Sequence, residues 1–175
     1  MGPISPFYSP LFGLLVFSCF LQADAAVTVC PEGWMSYERN CYQVFANALS
    51  WNDAETECQA INPSSHLASI LSQQEMNTVA KHISSTHGNV GYVWIGLFDP
   101  AGHASKHKGK RKRQTANRRW KWTDSSAVLF LSWAPGQPDN SDKREYCAAL
   151  LHQDYTKWRD DICEAKHPYL CRFPL

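Results

Sequence analysis

Ser50-Trp51-Asn52-Asp53-Ala54-Glu55-Thr56-Glu57-Cys58-Gln59-Ala60-Ile61-Asn62-Pro63 is the stretch on which the fold turns. Ser50 and Asp53 stand three apart, a capping-box-like start. Trp51, Ala54, Cys58 and Ile61 then recur at spacings of three, four and three, which puts them on one face of a helix. Asn62-Pro63 stops it. A cysteine therefore sits on the apolar face of the first helix. Downstream, Ser72-Gln73-Gln74-Glu75 is a second capping box. Met76, Val79, Ala80 and Ile83 make the apolar face that follows, and Gly88 lies beyond its end. Most of the remaining elements read as strands: residues 42–45, 92–97, 120–122, 146–151 and 169–173 are aromatic or β-branched runs between turn residues. Helices early and strands late do not alternate, so the pattern predicts α+β with an antiparallel sheet. Cys58 on the first helix and Cys171 on the last strand could pin one to the other.

The chain has 175 residues, 44% hydrophobic and 13% aromatic, which excludes a disordered polymer and suits one domain. Residues 11–21 form an apolar run of signal-peptide length, too short to span a bilayer. Pro3, Pro6 and Pro10 argue against a long helix there. Ala23-Asp24-Ala25 offers small residues at a cleavage site. The predicted organisation is a signal peptide over residues 1–25 and a single secreted domain over residues 26–175, with no transmembrane segment. Cys19 leaves with the signal. Cys30, Cys41, Cys58, Cys147, Cys163 and Cys171 remain, an even set that reads as a disulfide framework with 15 pairings open to it. No C-x-x-C occurs, so the thiols do not read as a zinc site.

Several motifs then resemble one family, the C-type lectin-like domain. They are Cys30-Pro31-Glu32-Gly33-Trp34, Cys41-Tyr42, Trp51 with Ala54, Glu55 and Cys58, and His66-Leu67-Ala68-Ser69-Ile70. Trp94-Ile95-Gly96-Leu97, Trp120-Lys121-Trp122, Gln137-Pro138-Asp139, Cys147, Trp158 before Cys163, and Cys171 continue the order. Within the family the chain looks most like the secreted regenerating-protein, eggshell-matrix and venom galactose-type lectin group. The resemblance implies two helices flanking small antiparallel sheets, a long irregular loop region, and the pairs Cys30–Cys41, Cys58–Cys171 and Cys147–Cys163.

In sugar-binding members of the family a Ca2+ ion joins vicinal sugar hydroxyls to oxygen ligands of the protein. Calcium takes six to eight hard oxygen ligands, so hydroxyls can complete its shell. Carried over residue by residue, the sugar and metal ligands are Gln137, Asp139, Glu145 and Asp160. Gln137-Pro138-Asp139 matches the galactose-type tripeptide, and Pro138 is expected to be cis. Arg159 falls where the family has a neutral oxygen ligand. A guanidinium has no acceptor, so Arg159 either bridges Asp139, Glu145 and Asp160 where the ion would sit or swings outwards and leaves a weaker calcium site; calcium binding is expected to be weak or absent. Tyr146 stands where a second calcium site often has an acid.

Residues 102–121 carry nine of the 17 basic residues and no acid. The rest of residues 26–175 holds eight bases against 15 acids, so a negative body bears a positive finger. Strands on either side make residues 102–119 a basic hairpin insertion. Such a run stays solvated, and it also suits a polyanion. Lys108, Lys110, Arg111, Lys112, Arg113, Arg118 and Arg119 are the polyanion candidates, with sulfated glycans rather than nucleic acid as partner. Without G-x-S-x-G, H-E-x-x-H or a P-loop, the sequence does not read as an enzyme. His66, Trp34, Trp94 and Trp133 read as packing residues. The expected function is secreted carbohydrate binding, with a structural or mineral-matrix role as the alternative.

Overall fold

The computed structural model describes Gly2, residues 29–104 and residues 118–175. In chain order the elements are β1 (Met35–Tyr37), β2 (Asn40–Leu49), α1 (Trp51–Ile61), β3 (His66–Leu67) and α2 (Gln73–His87). They continue with β4 (Val93–Phe98), α3 (Ala101–Ala104), β5 (Lys121–Trp122), β6 (Glu145–Leu150), β7 (Trp158–Ile162) and β8 (His167–Pro174). Both long helices start where their caps predict. Ser50 Oγ accepts the Asp53 N–H at 3.3 Å and Ser72 Oγ accepts the Glu75 N–H at 3.1 Å, each satisfying a donor that the first turn leaves free. The Glu75 carboxylate accepts the Leu71 N–H at 2.7 Å and the Tyr42 hydroxyl.

The strands form one sheet ordered β1-β2-β8-β4-β6-β7, with β3 added on β8 and β5 on β4. Every pairing is antiparallel except β4 with β8, which run parallel at Trp94 and Tyr169. The sheet is therefore mixed, a correction to the antiparallel reading. No hairpin joins β4 to β8, so no tight turn dictates their relative direction.

Period-two alternation then divides the core. Val93, Ile95 and Leu97 of β4, Ala148 and Leu150 of β6, and Leu170 of β8 join the α2 residues Met76, Val79 and Ile83 in one buried cluster. Their neighbours Trp94, Cys147, Ala149, Tyr169 and Cys171 join Trp51, Ala54 and Cys58 of α1 in the other. Adjacent side chains of a strand point to opposite faces, so the sheet lies between α1 and α2. Gly96 is needed where β4 passes β3: a Cβ there would collide with the Leu67 carbonyl. Disulfides join Cys30 to Cys41, Cys58 to Cys171 and Cys147 to Cys163, the pairs the resemblance implies. The second of them ties α1 to β8.

β1, β3 and β7 escape the sequence reading. The first two are three and two residues long. β7 reads Trp-Arg-Asp-Asp-Ile, with no apolar alternation, because its inward positions are Trp158 and the fully buried Asp160. A buried carboxylate in a strand needs a partner, and that partner defines the site.

Candidate functional site

Three segments converge at one end of β6 and β7. The loop after Pro135 brings Gln137, Pro138 and Asp139, with the Gln137-Pro138 peptide cis as expected. β6 begins at Glu145, and β7 supplies Asp160. Asp139, Glu145 and Asp160 offer carboxylate oxygens all within 4.8 Å of one another. Asp160 holds the loop: one of its oxygens accepts the Asp139 N–H at 3.0 Å and the other the Asn140 N–H at 2.9 Å. Its own N–H goes to Gln137 Oε1 at 3.1 Å. Asn140 Oδ1 accepts the Glu145 N–H at 3.0 Å, and Asp139 Oδ1 the Ser141 N–H at 3.1 Å.

The cation on Asp160 is Arg118. Its Nη1 donates to Asp160 Oδ2 at 2.6 Å and its Nη2 to the Glu145 carbonyl. The side chain is only 10% exposed and its guanidinium lies 5.1 Å from the Trp120 ring and 5.8 Å from the Tyr146 ring. Arg118 is thereby withdrawn from the exposed polyanion candidates, because its charge is spent on a fully buried acid. Of the others, Arg119 is exposed, while Lys108, Lys110, Arg111, Lys112 and Arg113 lie outside the described residues.

Of the two courses open to Arg159, it does not take the one that bridges the three carboxylates. It follows Trp158 in β7, so its side chain leaves the strand on the face opposite Asp160. There its guanidinium lies over the Tyr92 ring at 5.1 Å and donates to the Asp160 backbone carbonyl at 2.9 Å. It reaches Glu145 Oε1 at 3.4 Å, a long ion pair. Burial pushes the Glu145 carboxyl up from its ordinary range; a hydrogen bond from Ser141 opposes this, and the charges of Asp160 and Asp139 add to it. Glu145 Oε2 is buried without a hydrogen-bond partner among the described residues.

The family model for the lectin C-type domain matches residues 47–173, most of the chain. The chain belongs to the C-type lectin domain family. It is 37% identical over 162 residues to C-type lectin BfL-2 of Bungarus fasciatus, covering 91% of this chain and 94% of that lectin. Its fold is similar to human lithostathine, with a TM-score of 0.72 and 34% identity over 86% of this chain and 94% of that one. It is also similar to ovocleidin-17 of the Gallus gallus eggshell calcified layer, with a TM-score of 0.67 and 28% identity over 84% of this chain and all of that one.

C-type lectin domains commonly bind calcium, and the acidic cluster here has the chemistry for it. The donor set as arranged does not fit the ion. Gln137 Oε1 and both Asp160 oxygens already accept N–H donors, and a guanidinium stands 2.6 Å from Asp160. The remaining residues singled out in this C-type lectin domain are structural. His66 Nδ1 meets Glu55 Oε1 at 2.6 Å while Glu55 Oε2 accepts the Leu67 N–H at 2.8 Å, which clamps α1 to β3. Trp94 is fully buried, Trp34 packs on Phe173 at 5.0 Å, and Trp133 packs on Trp120 at 4.7 Å. Tyr146 donates to the Lys143 carbonyl at 3.3 Å.

The sequence reading missed the role of Arg118. It is one of nine bases in a run, and nothing in the run marks it. The available signal was position: Arg118 stands three residues before β5, close enough to the sheet to be held by it.

Proposed function

We propose that this chain is a secreted glycan-binding C-type lectin-like protein whose inherited galactose-type site works with weak calcium dependence or none. The observation that carries this reading is the Arg118 guanidinium on Asp160. A fixed positive charge does locally what the ion does in a metal-dependent site: it neutralises the buried acid and holds the loop through it. Gln137 Nε2 and the exposed Asp139 carboxylate then serve as donor and acceptor for sugar hydroxyls directly. Hydroxyl contacts without the metal are individually modest, so affinity for a single galactose is low. The bases of the 102–121 segment add sulfated glycans as a second ligand class. The apolar run and the Ala23-Asp24-Ala25 cleavage pattern support secretion, and no helix among the described residues is long and apolar enough to cross a membrane.

A structural or mineral-matrix role is the second reading, favoured by the similarity to ovocleidin-17 and by the separation of positive segment from negative body. A glycan array run with calcium and again with EDTA tests the first. Binding to galactose-terminated or sulfated glycans that survives EDTA is the expected result. Galactose binding abolished by EDTA would overturn it. Adsorption to calcium carbonate with no glycan bound would favour the matrix reading.

A further inference from the structure

On the side of β7 away from Asp160, Arg159 covers Tyr92, and Tyr92 forms a wall of an open groove of about 630 Å³. Val90 and Pro168 contribute apolar surface to it, and His152, Lys166 and His167 contribute nitrogen. Among the described residues no acid lines it. Asp161, next to it, is engaged with His167 Nε2 at 3.0 Å and so fixes that ring. The Tyr92 ring is held in turn, 5.2 Å from the His152 ring and 5.5 Å from that of His167. The groove is thus pre-formed around an immobilised aromatic side chain, which is how small-molecule sites are built.

We infer that this groove is a second saccharide site, for a pyranose that carries a carboxylate or a sulfate. Aromatic and proline walls suit the C–H faces of a sugar ring, and nitrogen donors at the rim suit its oxygens. The charge favours an anion: Lys166 lines the groove, Arg159 lies against its Tyr92 wall, no carboxylate is among the described lining residues, and the neighbouring Asp161 is held by His167. Lys166 is available. Its ion pair with Asp53, 3.2 Å long, joins two side chains that are both more than half exposed, and such pairs hold little energy. His152 makes no hydrogen bond among the described residues beyond its ring contact with Tyr92, so its nitrogens are open to a ligand. A volume of this size accepts a mono- or disaccharide. The groove shares none of its lining with the Gln137, Asp139, Glu145 and Asp160 cluster, so it can bind whatever that cluster does.

An NMR titration of the 15N-labelled protein tests this. The probes are methyl glucuronide, galactose 6-sulfate and, as the neutral control, methyl galactoside. At least one acidic probe should shift the backbone amides of Gly91, Tyr92 and His152, and a response to the glucuronide alone or the sulfate alone names the acid group. Lys166→Gln and His152→Ala should each weaken that probe threefold or more while the melting curve stays that of the parent. Both side chains are at the rim, so neither change empties the core. Unmoved resonances at Gly91, Tyr92 and His152 would overturn the proposal. So would an equal response to methyl galactoside, or parental affinity in the double variant.

Discussion

Asp160 is a fully buried carboxylate whose charge is met by the Arg118 guanidinium and two backbone N–H groups. Removing one partner of a buried pair costs more than the pair itself contributes, because the other charge is left without water or counterion. Arg118→Ala should therefore destabilise the protein by about 3–5 kcal/mol in EDTA. Calcium should restore part of that loss, since the vacated carboxylates can now take the ion. Calorimetry should find calcium affinity at least tenfold above the parent. Arg159→Asn, on the other face of β7, should raise it less. A parent that already binds calcium tightly would refute the assignment to Arg118. Glu145 gives a pH test. Its carboxyl titrates above the ordinary range in the folded protein, chiefly through burial. Between the unfolded and folded values the native state binds more proton than the unfolded chain, so this group's contribution to stability falls as pH rises. Relative to the parent, Glu145→Gln should gain stability from pH 4 to pH 7 in urea titrations. A constant difference across that range would contradict the direction.

Helix α1 carries more of the architecture than its 11 residues suggest. Trp51 Nε1 donates to the Ile95 carbonyl of β4 at 2.8 Å, Cys58 is bonded to β8, and Glu55 reaches β3. Glu55 is the polar member of this set. Its two oxygens serve His66 and the N–H of Leu67, a residue only 1% exposed. Glu55→Ala leaves that N–H buried without an acceptor and should cost about 1–3 kcal/mol in urea denaturation. Glu55→Gln keeps an acceptor oxygen and should recover much of the loss. If both variants unfold at the parental midpoint, β3 is held on β8 by its backbone ladder alone.

Charge is distributed unevenly over the whole molecule: nine bases and no acid in residues 102–121, eight bases and 15 acids in the rest of residues 26–175. A polyanion bound by that segment releases counterions, so its affinity must fall steeply with salt. Heparin retention should drop sharply across a salt gradient. Replacing Lys110, Arg111, Lys112 and Arg113 by alanine should move elution to clearly lower salt and leave galactose binding unchanged. Equal elution of variant and parent would show that other bases, Arg119 and Lys121 at the strand among them, govern the interaction instead.

Local rules were enough for much of this. Ser50 and Ser72 mark helix starts because a cap is a contact between residues three apart. The family motifs implied the disulfide partners and the Gln137-Pro138-Asp139 turn. They also brought Asp139, Glu145 and Asp160 together as candidate ligands. β3 and β7 were not legible, the first for its length and the second because a polar strand has no hydrophobic period to read. The occupant of the acidic cluster was not legible either. Arg118 and Asp160 are 42 residues apart, and the composition of a basic run is the same whether its last arginine faces water or an acid. Arg159, adjacent to Asp160 in sequence, was the natural candidate. Strand alternation sends the two side chains to opposite faces, and only the folding of β5 against β4 brings Arg118 to the buried carboxylate.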